Sequence, residues 1–109
     1  MELPSEIADR FVRNELVAAI VQDAENNQVL MLAWMNKEAL EATLSSKSVT
    51  YWSRSRNSLW KKGETSGNFQ ELISLSYDCD GDALLLQVNQ HGAACHTGER
   101  TCFHREVQL

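Results

Sequence analysis

Three cysteines and three histidines crowd the last third of the chain: Cys79, His91, Cys95, His96, Cys102 and His104. Thiolates and imidazoles are the preferred ligands of Zn²⁺. The spacing is not Cys-x-x-Cys, so it is not that of a zinc ribbon or finger. Three protein ligands plus a water is the pattern of a catalytic zinc, whereas a structural site closes with four. A zinc-bound water ionises near neutrality and becomes a usable nucleophile. The residue types alone leave a second reading open, in which the cysteines are small buried apolar side chains.

A second constellation overlaps the first. Asp78-Cys79-Asp80-Gly81-Asp82 places carboxylates at i, i+2 and i+4. In a turn they repel one another unless a cation sits among them, and such oxygen ligands suit Mg²⁺ or Ca²⁺. An EF-hand is not matched, because Asn89 stands where its closing Glu belongs. The other reading is a solvated acidic hairpin turn. A third group is basic: Arg54, Arg56, Lys61 and Lys62, set among hydroxyls with Gly63 and Gly67. A loop of this kind holds phosphate through charge-assisted bonds and close backbone approach, or is merely solvated. Trp34, Trp52 and Trp60 either stack on a purine or belong to the core.

These groups must be positioned by a chain of 109 residues, enough for one domain, residues 1–109, with a modest core. With 43% hydrophobic and 23% charged residues it has the balance of a folded globular protein. A net charge of -5 argues against a general nucleic-acid binder. No apolar run approaches the roughly 20 residues of a membrane span, and the first residues lack a signal-peptide pattern, so no membrane partner and a cytoplasmic location are expected. Three cysteines cannot all pair within one chain.

Met1–Asn14 reads as a leader with a helical turn around Ile7–Phe11. Glu15–Gln22 and Val29–Trp34 read as a hairpin across the polar turn 23–28. Asn36 is a good N-cap for a helix over Lys37–Ser46. Val49–Ser53, Phe69–Tyr77 and Ala83–Val88 read as strands, with Gly81 suited to positive φ in the turn between the last two. Arg54–Asn68 and Asn89–Arg100 read as loops, and Thr101–Val107 as a segment that closes the sheet. The expected class is α+β, a small mainly antiparallel sheet with one main helix.

Several segments together resemble the phosphoribosyl-AMP cyclohydrolase family, from about Val17 to Phe103. They are Val29-Leu-Met-Leu-Ala-Trp-Met-Asn36, Tyr51-Trp-Ser-Arg-Ser-Arg56, Leu59-Trp-Lys-Lys-Gly-Glu-Thr-Ser-Gly-Asn68, Asp78-Cys-Asp-Gly-Asp82, Ala94-Cys-His-Thr-Gly98 and Cys102-Phe103. Two departures are small. Thr101 replaces a usual Ser and keeps the hydroxyl. Asn27 stands where Gly is common and tolerates the left-handed region.

The resemblance implies one Zn²⁺ per subunit at Cys79, Cys95 and Cys102, with ligands from both subunits of an intertwined homodimer and the active site at their interface. It implies Mg²⁺ at Asp78, Asp80 and Asp82. The implied substrate is phosphoribosyl-AMP, a phosphorylated nucleotide whose N1–C6 bond is hydrolysed in the third step of histidine biosynthesis. Within that expectation His96 is the first candidate for the proton shuttle, and Arg54, Arg56, Lys61 and Lys62 are candidates for the phosphates. The expected enzyme is monofunctional, because the chain leaves no room for the pyrophosphohydrolase domain fused to some relatives. Three rivals differ in signature. A structural zinc module needs four closed ligands, a redox thiol protein needs an exposed low-pKa Cys and no metal, and a zinc nucleoside deaminase needs Pro-Cys-x-x-Cys beside its His-x-Glu, and no Pro-Cys-x-x-Cys occurs in this sequence.

Overall fold

The computed structural model describes residues 2–109. Its elements run α1 (Ser5–Val12), β1 (Val17–Asp23), β2 (Val29–Met35), α2 (Lys37–Ser46), β3 (Thr50–Ser53), β4 (Ser58–Lys61), β5 (Gln70–Tyr77) and β6 (Ala83–Gln90). The α+β class holds, with two helices rather than one and a mostly antiparallel sheet. Among the described residues no helix is long and apolar enough to cross a membrane.

Helix α2 starts where the sequence says it must. The Asn36 side chain accepts the Ala39 N–H at 2.9 Å, satisfying one of the amide donors a helix start leaves free. Its buried face carries Ala39, Leu40 and Thr43. The β1–β2 hairpin also forms as expected, with Asn27 in the left-handed region at φ 63°.

The four-stranded sheet has the order β2-β1-β6-β5. Its central pair, β1 and β6, is parallel, with Ala19 opposite Leu84 and Val21 opposite Leu86. That pairing departs from a purely antiparallel expectation. A parallel neighbour needs a long crossover, and here everything from β2 to β5 supplies it.

Three local expectations are corrected. The turn around Ile7–Phe11 is a complete helix, α1, which buries Ile7 against the core. Arg54–Asn68 is not all loop, because Ser58–Lys61 pairs with β3 and sets Trp60 opposite Tyr51. Thr101–Val107 does not close the sheet. The Thr101 hydroxyl donates to the Val29 carbonyl (2.8 Å) and Cys102 N–H to the Leu30 carbonyl (2.7 Å), but residues 103–109 then leave β2 and are exposed.

The core row ends in polar side chains. Along β1 the buried positions are Val17, Ala19, Val21 and Asp23, and along β6 they are Leu84, Leu86, Val88 and Gln90. Strand β5 begins with buried Gln70, directly opposite Gln90. The parallel pairing of β1 with β6 brings Asp23, Gln90 and Gln70 to one end of the sheet, where the cysteine-bearing loop begins.

Candidate active site

The loop after β6 is held chiefly by its carbonyls. Arg100 Nη1 donates to the carbonyls of Gln90 (3.1 Å) and Gly92 (2.9 Å). Gln90 Nε2 faces those of His91 (3.4 Å) and Ala93 (3.5 Å). The next carbonyl, Ala94, accepts from Lys62 Nζ at 2.6 Å. Cys95 follows directly. Its own carbonyl accepts the Gly98 N–H at 3.0 Å, in a turn where Gly98 takes φ 93°, a conformation that favours glycine.

Cys95 is buried, and its sulfur is surrounded by groups that stabilise a thiolate. The Thr97 hydroxyl donates to Sγ at 3.0 Å, and His104 Nε2 lies 3.8 Å away. Hydrogen bonding from Thr97, assisted by His104 and Cys102, brings the Cys95 pKa down to about 6. Cys102 behaves oppositely. Much of the residue faces solvent, yet its sulfur is partly desolvated and sits beside the negative Cys95, and both effects push its pKa up. The loop therefore sets two neighbouring thiols apart, the pKa of Cys95 lowered and that of Cys102 raised.

An open cleft of about 440 Å³ lies between this loop and the β3–β4 hairpin. Cys95 and His96 line one wall; Arg56, Trp60, Lys61 and Lys62 line the other. The basic residues therefore have different surroundings. Lys62 is only 8% exposed. Its ammonium lies 5.4 Å from the Trp60 ring centroid, and desolvation lowers its pKa. Arg54 instead lies over the Trp34 ring at 4.7 Å and is not a lining residue of this cleft.

The acidic turn stands apart and exposed. One ligating oxygen from each of Asp78, Asp80 and Asp82 lies within 4.8 Å of the others. Asp78 Oδ1 accepts the Asp82 and Ala83 N–H groups at 3.0 and 3.2 Å, which helps lower its pKa. The neighbouring carboxylates push Asp82 up to about 6. Gly81 takes φ 74°, and a Cβ there would meet Glu6 Cβ at 2.8 Å, so α1 packs directly on this turn. Arg10 of α1 donates to the Asp80 carbonyl at 2.9 Å.

The family model described as phosphoribosyl-AMP cyclohydrolase matches residues 31–104, a stretch that contains the cleft, the acidic turn and the cysteine loop. The chain belongs to the phosphoribosyl-AMP cyclohydrolase family. It is accordingly an enzyme, a hydrolase. Among curated proteins it is similar to the phosphoribosyl-AMP cyclohydrolase of Thermobifida fusca, 58% identical over 99% of this chain and 95% of that one. It is 62% identical to that of Granulibacter bethesdensis over 90% of this chain and 77% of the relative. For Chloroherpeton thalassium the identity is 59%, over 91% and 71%.

The donor sets fit the metals expected for a phosphoribosyl-AMP cyclohydrolase unequally. The Asp trio is gathered as a hard cation requires. Cys95 and Cys102 are together, with sulfur donors suited to zinc. Cys79 is exposed in the acidic turn and does not join them: among the described residues the Asp trio alone brings three ligating groups together. Within this chain the loop brings together two of the three sulfurs that a three-cysteine zinc site requires.

Sequence reading alone gave no role to Tyr51, Gln70, Gln90, Arg100 or Asp23. A signal was present for two of them. The inward alternation Leu84-Leu86-Val88 continues onto Gln90, and Val17-Ala19-Val21 onto Asp23, so each polar side chain follows the apolar row inward.

Proposed function

We propose that this chain hydrolyses the N1–C6 bond of the adenine ring of phosphoribosyl-AMP, the third step of histidine biosynthesis, as a cytoplasmic homodimer with its active site at the interface. The observation that carries this reading is the cleft in which Cys95 and His96 face the cations of the β3–β4 hairpin, within the segment matched by the family.

The substrate bears ribose phosphates on N1 and N9. Substitution at N1 makes the ring cationic and C6 electrophilic. Water adds at C6, the N1–C6 bond breaks, and the products are a carboxamide and a formamidine in one opened molecule. Cys95 and Cys102, with Cys79 of a second copy, would hold zinc, whose chemistry there is to lower the pKa of water to near 7. Asp78, Asp80 and Asp82 would hold magnesium. His96, exposed on the cleft wall, delivers the proton to the departing N1. His104 orients the Cys95 sulfur. Arg56 and Lys61 bind phosphate from the opposite wall. Arg54 acts from its stack on Trp34, and Lys62, largely buried in the cleft wall, acts through the Ala94 carbonyl.

The test is an ultraviolet assay with phosphoribosyl-AMP on the protein as isolated, after chelation and after zinc is restored. Turnover should vanish with chelation and return with zinc. A zinc-loaded dimer without turnover would sink the catalytic reading and favour a structural zinc module.

A further inference from the structure

The polar residues at the end of the core form one continuous chain. Tyr51 Oη donates to Gln70 Oε1 (2.5 Å), and Gln70 Nε2 donates to Gln90 Oε1 (2.7 Å) and faces Met31 Sδ (3.3 Å). Gln90 Nε2 then faces the His91 and Ala93 carbonyls, just ahead of Cys95. Tyr51 and Gln70 are fully buried, and Gln90 is 9% exposed. Burying such groups costs free energy unless each finds a partner, and here each has one.

An apolar set of the same shape would hold the sheet as well or better. The chain of bonds does what an apolar set does not: it fixes direction. At one end, Tyr51 pairs across the strand with Trp60, ring centroids 5.3 Å apart, and Trp60 lines the cleft. At the other end lies the loop that bears Cys95 and His96 on the facing wall. We propose that Tyr51, Gln70 and Gln90 are positioning residues that hold the two walls of the cleft in register, and so set where the Cys95 and His96 side chains stand relative to a nucleotide resting on Trp60. The role rests on the reaction proposed above. None of the three touches the cleft, so they act through the loop and the hairpin.

The experiment uses full-length Tyr51→Phe and Gln90→Met. Each is assayed for Tm, for kcat and KM with phosphoribosyl-AMP, and, after chelation, for Co²⁺ affinity read from the thiolate-to-cobalt absorption. Both variants should still fold with a cooperative melt, at a lowered Tm because each leaves a buried Gln70 group without its partner. Expected is a fall in kcat of roughly tenfold or more, larger than the change in KM, with weakened Co²⁺ binding. Folded variants with wild-type kcat and Co²⁺ affinity would overturn the proposal. Loss of folding in both would also overturn it, making the chain a stability element. Wild-type protein that fails to turn over phosphoribosyl-AMP defeats the proposed reaction instead, so the two failures are distinguishable.

Discussion

Arg100 and Asp23, 77 positions apart in sequence, form an ion pair at the end of the sheet, the Asp23 side chain 3% exposed and the Arg100 side chain 44%. The same guanidinium grips the Gln90 and Gly92 carbonyls, so the pair fastens the cysteine loop to the last residue of β1. Asp23 also accepts the Glu25 N–H at 2.9 Å.

Removing the charge at Asp23 should therefore loosen both the turn and the loop. Asp23→Asn is expected to lose about 1–3 kcal/mol, discounted for the half-exposed Arg100. The Glu25 N–H bond and the Arg100 pair lower the Asp23 pKa in the folded protein. Its stabilisation is thus complete above the unfolded carboxyl value of about 4 and fades as pH falls through the lower folded value. Thermal melts of wild type and variant from pH 7 to 3 check this, and the gap between them should narrow only on the acid side. A constant gap would mean that the contribution is not ionic.

The acidic turn has the opposite sign. Asp82 titrates at about 6 in the folded protein because Asp78 and Asp80 crowd it, above its unfolded value near 4. Metal-free protein should gain stability from this site as pH falls from about 7 to 4, as proton uptake relieves the repulsion. Added Mg²⁺ should relieve it at neutral pH and raise Tm. Asp82→Ala should abolish most of that rise. An equal Mg²⁺ response in the variant would exclude the trio as the binding site.

Thr97 should set the reactivity of Cys95. Its hydroxyl is the largest of the influences that lower the thiol pKa to about 6. In metal-free protein, alkylation of Cys95 by iodoacetamide should reach half its maximal rate near pH 6 and shift to higher pH in Thr97→Val. Peptide mapping separates Cys95 from the exposed Cys79. An unshifted profile would assign the thiolate to the backbone N–H of residue 97, which the variant keeps, and to His104.

The local features of this protein were legible in its sequence, and the non-local ones were not. Asn36 and the apolar spacing of Ala39, Leu40 and Leu44 mark α2, because caps and helical faces are written within a few residues. The trio Asp78, Asp80 and Asp82 is gathered by a turn of its own length. The parallel pairing of β1 with β6 depends on residues some 65 positions apart, such as Ala18 and Ala83, and no periodicity reports it. Separations of 19 and 20 positions hid the Tyr51–Gln70–Gln90 chain, whose members sit on three different strands. Strand β4 was lost for a different reason: it is short and largely exposed, and its pairing is anchored by Tyr51 opposite Trp60 rather than by an inward face.

The four basic residues of the hairpin share one sequence signature but not one environment, and substitution should separate them. Arg56 and Lys61 line the cleft, while Arg54 is engaged with the Trp34 ring. A charge-assisted bond to phosphate contributes about 1.5–3 kcal/mol, so Arg56→Ala should raise KM for phosphoribosyl-AMP roughly tenfold or more and leave zinc content unchanged. Arg54→Ala should raise KM less, because Arg54 lies over the Trp34 ring and neither residue lines the cleft. Lys62→Met should differ from both. It strips the donor from the Ala94 carbonyl beside Cys95, so kcat should fall along with Tm. Steady-state kinetics and metal analysis on the three variants decide the assignment, and a larger KM effect at Arg54 than at Arg56 would relocate the phosphate site to the Trp34 face.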